Sequence, residues 1–258
     1  MIATLNVTNS YISIGCLEKE QPLFLERIST NLKKTDLEYA VDLLQTFVIH
    51  RLEISDVEGC VLSSVVPALT SVFVSCVTRV FGKRPYIVRA EDQTLIPVRI
   101  DQPSQLGANL LADAAGALRV AEPPVIFADF AAATTFGVID ADGAYRGGVI
   151  LPGVHSALNA LLGSTAQIPR VSTDSLPTAL GRDSRESLTG GMVYGNAGMA
   201  DRIIELCEAE LHTKARHIAT GRYAHLIVPY MKHEILTDEY LSLKGLSRLY
   251  YAGKGGER

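Results

Sequence analysis

Two stretches of the chain share one design, a strand, a short polar turn and a second strand. The first runs from Ile2 to Gly15 and the second from Ile126 to Asp140. In each, an apolar run leads into small or polar residues and then into another apolar run, the pattern of two strands joined by a tight turn. Two copies of one hairpin predict a duplicated α/β unit with a phosphate site between the halves.

The turn of the second hairpin has the composition of a phosphate-binding loop. Asp129 lies at the end of the first strand, alanines form the turn, and Thr134 and Thr135 begin the second strand. Small residues let backbone N–H groups approach a phosphate, and threonine hydroxyls add donors. An acid before such a turn holds a cation or orders the loop. The same residues also fit a buried hairpin that ends in a solvated aspartate, because small residues pack well.

Composition limits the classes of protein that fit. The chain has 258 residues, of which 47% are hydrophobic, so it can form one large domain or two modest ones. A net charge of −4 gives no electrostatic footprint for nucleic acid or for an anionic membrane. The four scattered cysteines form no CxxC pair, which favours a reduced, cytoplasmic setting with the thiols buried as small hydrophobes. No signal peptide or membrane span is expected.

The first half is predicted to begin with three strands and to continue with helices and strands. Thr35, with Glu38 three residues later, forms a capping box that opens a helix to about His50. The apolar stripe predicted for this helix consists of Leu37, Val41, Leu44 and Val48. A strand over 60–65 leads into a helix after Pro67, and an alanine-rich helix over 106–120 completes this half.

The pair Pro123-Pro124 predicts the boundary between the halves, residues 1–121 and residues 122–258. After the second hairpin the pattern predicts a third strand, two helices, a strand over 217–221 and a final helix. Hairpins followed by crossover connections, given twice, predict an α/β fold. We expect two ribonuclease-H-like halves around a central cleft.

Five segments spaced along the chain form a collinear set of motifs. They are Ser63 to Thr70, Pro103 to Ala108, Asp129 to Thr135, Gly147 to Gly153 and Thr220-Gly221. In this order they resemble the motifs of the type III pantothenate kinases, which belong to the acetate and sugar kinase–actin superfamily. The resemblance covers nearly the whole chain, and several collinear matches are far more specific than any single one.

The resemblance implies a reaction and its participants. In this family the γ-phosphoryl group of ATP is transferred to the primary alcohol of pantothenate, the first step of coenzyme A biosynthesis. It also implies Mg²⁺, a monovalent cation such as K⁺ or NH₄⁺, and a dimer with active sites at its interface.

The resemblance also gives roles to individual residues. The nucleotide-binding positions are Asn9, Ser10, Thr134, Thr135, Thr220 and Gly221. Gly107 and Ser184 stand at pantothenate-binding positions, and Ser184 replaces a threonine that reaches the substrate across the dimer interface. Asp129 stands at the position that holds the monovalent cation.

Three residues expected to carry charge are replaced. The first loop of the family reads D-x-G-N-T, whereas here Asn6 stands in place of the aspartate and Thr8 in place of the glycine. The motif G-A-D-R ends here in Asn109 and Leu110. Asn6 therefore occupies the metal and phosphate position, and Asn109 the general-base position. An amide has no basic carboxylate, and leucine has no donor to replace arginine.

Asp113 is a possible substitute for the missing base. It lies four residues after Asn109, so on a helix the two share a face at about 6 Å along the axis. The alternative interpretation is that Asp113 is an ordinary solvated or helix-capping acid.

These departures leave two hypotheses for the function. The first is a pantothenate kinase that is weakened or that serves as a degenerate subunit, in a homodimer or in a heterodimer with an intact paralogue. The second is a non-catalytic pseudokinase that binds nucleotide or pantothenate and regulates or supports a partner. The loss of one oxyanion-type contact alone costs about 2.7–4 kcal/mol of activation free energy. Both hypotheses imply a small-molecule ligand, with no nucleic acid and no membrane partner.

Overall fold

The structure is a computed structural model and describes residues 1–91, 95–164 and 178–255. Contacts within the chain divide it into two compact units. Unit 1 consists of Met1–Val120 together with Tyr240–Arg258, and unit 2 consists of Ala121–Glu239.

Unit 1 is built on a five-stranded sheet. Its strands are β1 (Ile2–Val7), β2 (Tyr11–Glu18), β3 (Gln21–Ser29), β4 (Gly59–Ser64) and β5 (Tyr86–Ile87). Its helices are α1 (Asp36–Ile49), α2 (Pro67–Phe81), α3 (Ala108–Val120) and the C-terminal α7 (Leu241–Gly255). The sheet order is β3-β2-β1-β4-β5, with an antiparallel meander on one side and parallel β1, β4 and β5 on the other.

Unit 2 repeats this architecture. Its strands are β6 (Val125–Phe130), β7 (Ala133–Ile139), β8 (Tyr145–Pro152), β9 (Arg216–Thr220) and β10 (Leu236–Thr237). Its helices are α4 (Val154–Ser164), α5 (Ser184–Leu211) and α6 (Ala224–Ile227). The order β8-β7-β6-β9-β10 has the same strand directions as unit 1. The predicted duplication into two ribonuclease-H-like α/β units is thereby confirmed.

Helix α1 packs with the face opposite to the one predicted. The predicted stripe of Leu37, Val41, Leu44 and Val48 is 40–71% exposed. The buried residues include Tyr39, Leu43 and Phe47, and the Phe47 ring lies 5.3 Å from the rings of both Phe24 and Phe81. The helix has two apolar faces, and the one that carries aromatic rings is buried because each ring removes a large area from water.

Helix α7 packs against α3 within unit 1, whereas the sequence-based boundary placed residues 240–258 with the second half. Two glycines let the helix backbones meet. A Cβ on Gly245 would lie 1.7 Å from the carbonyl oxygen of Ala112, and one on Gly116 would lie 2.2 Å from that of Leu241. Hydrophobic periodicity alone does not predict such close contact between two helix backbones.

The cysteines behave as buried hydrophobes in unit 1. Cys16, Cys60 and Cys76 are buried, and the half-buried Cys207 of unit 2 is also free. Burial raises the pKa of the Cys60 and Cys76 thiols to about 12, so they stay protonated at neutral pH. In the described part of the chain, no helix has the length and hydrophobicity needed to cross a bilayer.

The contact between α3 and α7 can be tested with Gly245→Ala. The added Cβ would meet the Ala112 carbonyl, which belongs to a helix backbone and cannot move aside freely. We expect the free energy of unfolding in urea to fall by about 3 kcal/mol. The control is Gly195→Ala on α5, where no atom lies within 4 Å of the new Cβ. Alanine there favours the helix by about 0.5–1 kcal/mol, so equal losses in both variants would contradict this packing.

Candidate functional site

In unit 1 the predicted site residues lie at the carboxyl ends of two parallel strands. β1 and β4 run side by side, with Val7 opposite Ser64. The next residue, Val65, donates its N–H to the Val7 carbonyl at 3.0 Å. The Cβ position of Gly107 lies 3.5 Å from Val65 Cγ1. The β1–β2 turn and the start of α3 therefore meet at one edge, where open α/β sheets bind ligands.

Asn6 is buried at this edge with an unpaired oxygen. The side chain is 8% exposed, and its neighbours in register are Ser13 and Ser63. Neither Asn6 Oδ1 nor the Ser63 hydroxyl has a hydrogen-bond partner. A buried acceptor left in this way costs about 1–3 kcal/mol. A bound cation or a donor would satisfy it, although the amide brings no negative charge.

Thr8 closes the β1–β2 turn with its own side chain. Its hydroxyl donates to the Tyr11 carbonyl at 2.7 Å, and its N–H donates to the same oxygen at 3.0 Å. The Thr8 backbone is not in the left-handed region that favours glycine. The turn therefore forms without the glycine of the family motif. Asn9 and Ser10, both predicted to bind nucleotide, lie exposed at its tip.

At the start of α3, an amide stands where the family motif has a carboxylate. Asn109 Oδ1 lies 2.6 Å from the Cβ position of Gly107, so the amide folds back against that glycine. Leu110 is half-buried beside it. The base position and the arginine position of the motif are therefore both filled by uncharged side chains.

Asp113 is the acid of α3, and it is buried. The side chain is 1% exposed, and Oδ1 accepts a short hydrogen bond from the Ser242 hydroxyl of α7. The interpretation of Asp113 as a solvated or capping acid is therefore wrong. Its carboxylate is part of the contact between α3 and α7.

In unit 2, three polar residues lie side by side across three strands. Asp129 of β6 is opposite Thr135 of β7 and opposite Thr220 of β9. Directly paired residues point to the same face of a sheet, so these three side chains form one polar row. The row lies at the carboxyl ends of parallel β6 and β9, the place that corresponds to Asn6 in unit 1.

Thr134 lies apart from this row. Successive residues of a strand point to opposite faces, so Thr134 faces away from Thr135 and lies opposite Phe130. Both threonines are buried, and neither hydroxyl has a hydrogen-bond partner. The sequence predicted one nucleotide role for the two, whereas the sheet places only Thr135 beside Asp129.

Two glycines bring backbone close to the β6–β7 turn. Gly221 has φ +93°, and its Cβ position lies 2.2 Å from Asp129 Oδ1. The Cβ position of Gly153 lies 2.3 Å from the carbonyl oxygens of both Ala131 and Ala132. The turn thus lies between the start of α4 and the turn after β9. We call the Asp129 carboxylate and the Ala131 and Ala132 carbonyls, each packed against one of these glycines, the cradle. The Ala132 carbonyl also accepts the Gly153 N–H at 3.1 Å and the Ser156 hydroxyl at 2.7 Å.

Ser184 is the first residue of α5 and is exposed. The helix is capped by Asp183, whose side chain accepts the Glu186 N–H at 2.8 Å. The cap leaves the Ser184 hydroxyl at the surface of unit 2. Its predicted role in binding pantothenate stays a prediction.

The structure also contains a cluster of two acids and two histidines that no motif or spacing in the sequence indicated. Asp201 Oδ1 lies 2.7 Å from His233 Nδ1, and Glu208 Oε1 lies 3.1 Å from His217 Nε2. The imidazole rings lie 5.1 Å apart. Burial opposes ionisation of both acids, yet hydrogen bonds outweigh it and hold each pKa below its ordinary value. These pairs attach α5 to β9 and to the segment before β10.

The donor set for a divalent metal is poor in the part of the chain that the structure describes. No group of three or more histidine, cysteine or acidic side chains there could hold a metal ion. The cradle offers one carboxylate, that of Asp129, together with the neutral carbonyl oxygens of the turn. Such a set suits a monovalent cation, or a Mg²⁺ ion that receives most of its ligands from phosphates and water.

Comparison with known proteins identifies relatives over nearly the whole chain. Residues 3–206 match the family described as type III pantothenate kinase. The type III pantothenate kinase of Geotalea uraniireducens is 33% identical over 250 residues, which cover 97% of this chain and 98% of that protein. The type III pantothenate kinase of Dictyoglomus turgidum is 34% identical over 252 residues, with coverage of 97% and 98%.

A solved structure agrees with the fold. The ROK hexokinase of Thermus thermophilus aligns over 99% of both chains with a TM-score of 0.50 and 10% identity. At this identity the likeness shows the fold alone. It agrees with the predicted α/β fold of two ribonuclease-H-like units.

The cradle in unit 2 can be tested with Gly221→Ala. The new Cβ would overlap Asp129 Oδ1 and the Phe130 backbone, in addition to the strain of a positive φ. The control is Gly143→Ala, which has φ +78° and no atom within 4 Å of the Cβ position. Strain alone costs about 1–2 kcal/mol. We expect the unfolding free energy of Gly221→Ala to fall by about 2 kcal/mol more than that of the control, and equal losses would contradict the contact.

The buried acid–histidine cluster predicts loss of stability in acid. The pKa values of Asp201 and Glu208 in the folded chain lie below the ordinary values of these side chains, because hydrogen bonds to their carboxylates outweigh burial. Their ionised forms therefore stabilise the fold above these values, and the contribution is lost as pH falls through the lower folded values. We expect the unfolding free energy of the wild type to fall more steeply below about pH 4 than that of Asp201→Asn. Glu205→Gln, an exposed acid on the same helix, should keep the wild-type slope.

Proposed function

Because the chain belongs to the type III pantothenate kinase family, we propose that it binds ATP and a pantothenate-like molecule but transfers the phosphoryl group slowly. The observation that carries this proposal is the chemistry at the start of α3. Asn109 stands at the general-base position, and the one acid of that helix, Asp113, is buried and bonded to Ser242.

The support for nucleotide binding comes from unit 2. Asp129, Thr135 and Thr220 form a polar row next to a turn of small residues. The unpaired Thr135 hydroxyl supplies a buried group that a phosphate oxygen would satisfy. When bound, Mg²⁺ would neutralise phosphate charge, and Asp129 with the turn carbonyls would hold K⁺ or NH₄⁺. The family motif also assigns Asn9 and Ser10 to the nucleotide, and this role stays a prediction.

The support for slow transfer comes from unit 1. A general base contributes about 10²–10⁴ in rate, and the Asn109 amide orients a hydroxyl without accepting its proton. Leu110 offers no cation to the transferred group, and one such contact is worth about 2.7–4 kcal/mol. The Asn6 amide oxygen would accept a hydrogen bond from a metal-bound water, but it carries no negative charge. Together these losses predict turnover at least about a thousandfold below the usual range of about 1–100 s⁻¹ for kinases.

The proposal includes a cytoplasmic dimer. A cytoplasmic setting is supported by the free cysteines, which are rarely left unpaired in oxidising compartments. The dimer is supported by the exposed Ser184 at the start of α5, since the family motif places this hydroxyl at a subunit interface. A homodimer and a heterodimer with an intact paralogue both fit this placement.

The test is to restore the missing charges. We expect the variant Asn6→Asp, Asn109→Asp, Leu110→Arg to raise ATP- and pantothenate-dependent turnover at least about a hundredfold, because a base and a cation are regained. Turnover is measured by coupling ADP release to an optical assay. Wild-type turnover already in the range of about 1–100 s⁻¹ would contradict the proposal.

The control variant is Asp113→Asn. It removes the carboxylate bonded to Ser242 without touching Asn109. We expect stability to change while turnover per folded molecule stays at the wild-type level. A further drop in turnover of tenfold or more would instead assign the base role to Asp113.

The exposed Ser184 favours a second candidate function, a subunit that completes the site of an intact partner. A mixture with an active type III pantothenate kinase would then form heterodimers with altered KM for pantothenate. Ser184→Ala in this chain would remove that effect, whereas Ser187→Ala, one helical turn away and also exposed, would leave it.

A further inference from the structure

A cavity of about 420 Å³ in unit 1 is lined by three cationic side chains. Arg119 lies at the end of α3, and Lys244 and Arg248 lie on one face of α7, four residues apart. Glu20, in the turn between β2 and β3, is the one carboxylate of the lining. The cavity thus has a formal charge of about +2, in a chain whose net charge is −4.

Arg248 is a half-buried cation without an acidic partner. Its Nη1 donates to the Ala115 carbonyl at 3.2 Å, and no carboxylate in the described residues lies within 4 Å of it. Partly buried guanidinium groups are normally paired, because removal from water penalises the charge. An anion in the cavity would supply the missing partner, and guanidinium groups match phosphate geometry well.

The turn that positions Glu20 beside Arg119 has a strained backbone. Lys19 and Glu20 have φ angles of +47° and +69°, in the left-handed region where side chains are strained by about 1–2 kcal/mol each. The Glu20 carboxylate accepts from Arg119 Nη2 at 2.9 Å and from Nε at 3.2 Å. Both side chains are about half exposed, and such pairs contribute about 0–1 kcal/mol. The ion pair therefore does not offset the backbone strain. An anionic ligand could replace Glu20 as the partner of the Arg119 guanidinium.

We propose that this cavity is a binding site for the phosphate group of a small molecule. The phosphate oxygens accept from Arg248 and Lys244, and Arg119 joins them by exchanging Glu20 for the ligand. The size of the cavity, within the usual range for small-molecule sites, leaves room for an organic part beside the phosphate. Val120 and Tyr240, where the chain leaves and re-enters unit 1, also line the cavity. Every residue of the site belongs to unit 1, so it is separate from the polar row of Asp129 in unit 2.

The experiment is calorimetric titration of the full chain at low salt with two probes, inorganic pyrophosphate and glycerol 3-phosphate. Saturable binding of either is expected, and the tighter probe tells whether a free or an organic phosphate fits better. Arg248→Gln should weaken binding at least tenfold, because it removes the unpaired charge. Glu20→Gln should tighten binding several-fold, because it releases Arg119. These opposite signs distinguish a built site from general attraction to positive charge.

The matched control is Arg202→Gln, which removes an exposed arginine of α5 that pairs with Glu205. It should leave the affinity unchanged. Equal weakening by Arg202→Gln and Arg248→Gln would overturn the proposal, as would an affinity that neither Arg248→Gln nor Glu20→Gln alters. Absence of saturable binding by both probes would also overturn it. Glu20→Gln lies in an exposed turn, so its effect can be measured even if Arg248→Gln folds poorly.

Discussion

The pairing of two parallel strands in each unit determines where chemistry can occur in this chain. β1 with β4, and β6 with β9, end at one edge of their sheets, and the hairpin turns project from those edges. The register brings Asp129, Thr135 and Thr220 into one row and places Asn6 beside Ser63. A shift of one residue would point every one of these side chains to the opposite face. The candidate site therefore depends on the strand register before it depends on any ligand.

The two units differ in the charges they keep. Unit 2 keeps Asp129, Thr134 and Thr135 of its loop, although Ala131 and Ala132 replace a glycine and a threonine of the family motif. It also keeps Gly221, packed so closely that a Cβ there would strike Asp129. The replaced charges all lie in unit 1, at Asn6, Asn109 and Leu110. Phosphoryl transfer depends mainly on positioned charge, so loss in one unit can separate binding from turnover. This asymmetry is the physical basis for proposing a chain that holds ATP but reacts slowly.

The sequence predicted what depends on local pattern and missed what depends on contact between distant segments. Hydrophobic period and residue spacing were enough to predict the hairpins, the capping box of α1 and the motif positions. The buried face of α1 could not be predicted, since the helix has two apolar faces and tertiary packing determines which one is buried. Nor could spacing show that Asp113 is bonded to Ser242, which lies far away in the sequence. The separation of Thr134 from Thr135 required the register of the sheet.

Slow phosphoryl transfer by this chain is tested by a single-turnover experiment with the wild-type chain in excess over γ-labelled ATP and with saturating pantothenate. We expect the label to be bound, as shown by filter retention, and to leave ATP with a half-time of about 7 s or longer. Binding without transfer would agree with the polar row that unit 2 keeps and with an uncharged start of α3. Appearance of labelled phosphopantothenate within a second would contradict the account, because it would mean that Asn6, Asn109 and Leu110 suffice for catalysis.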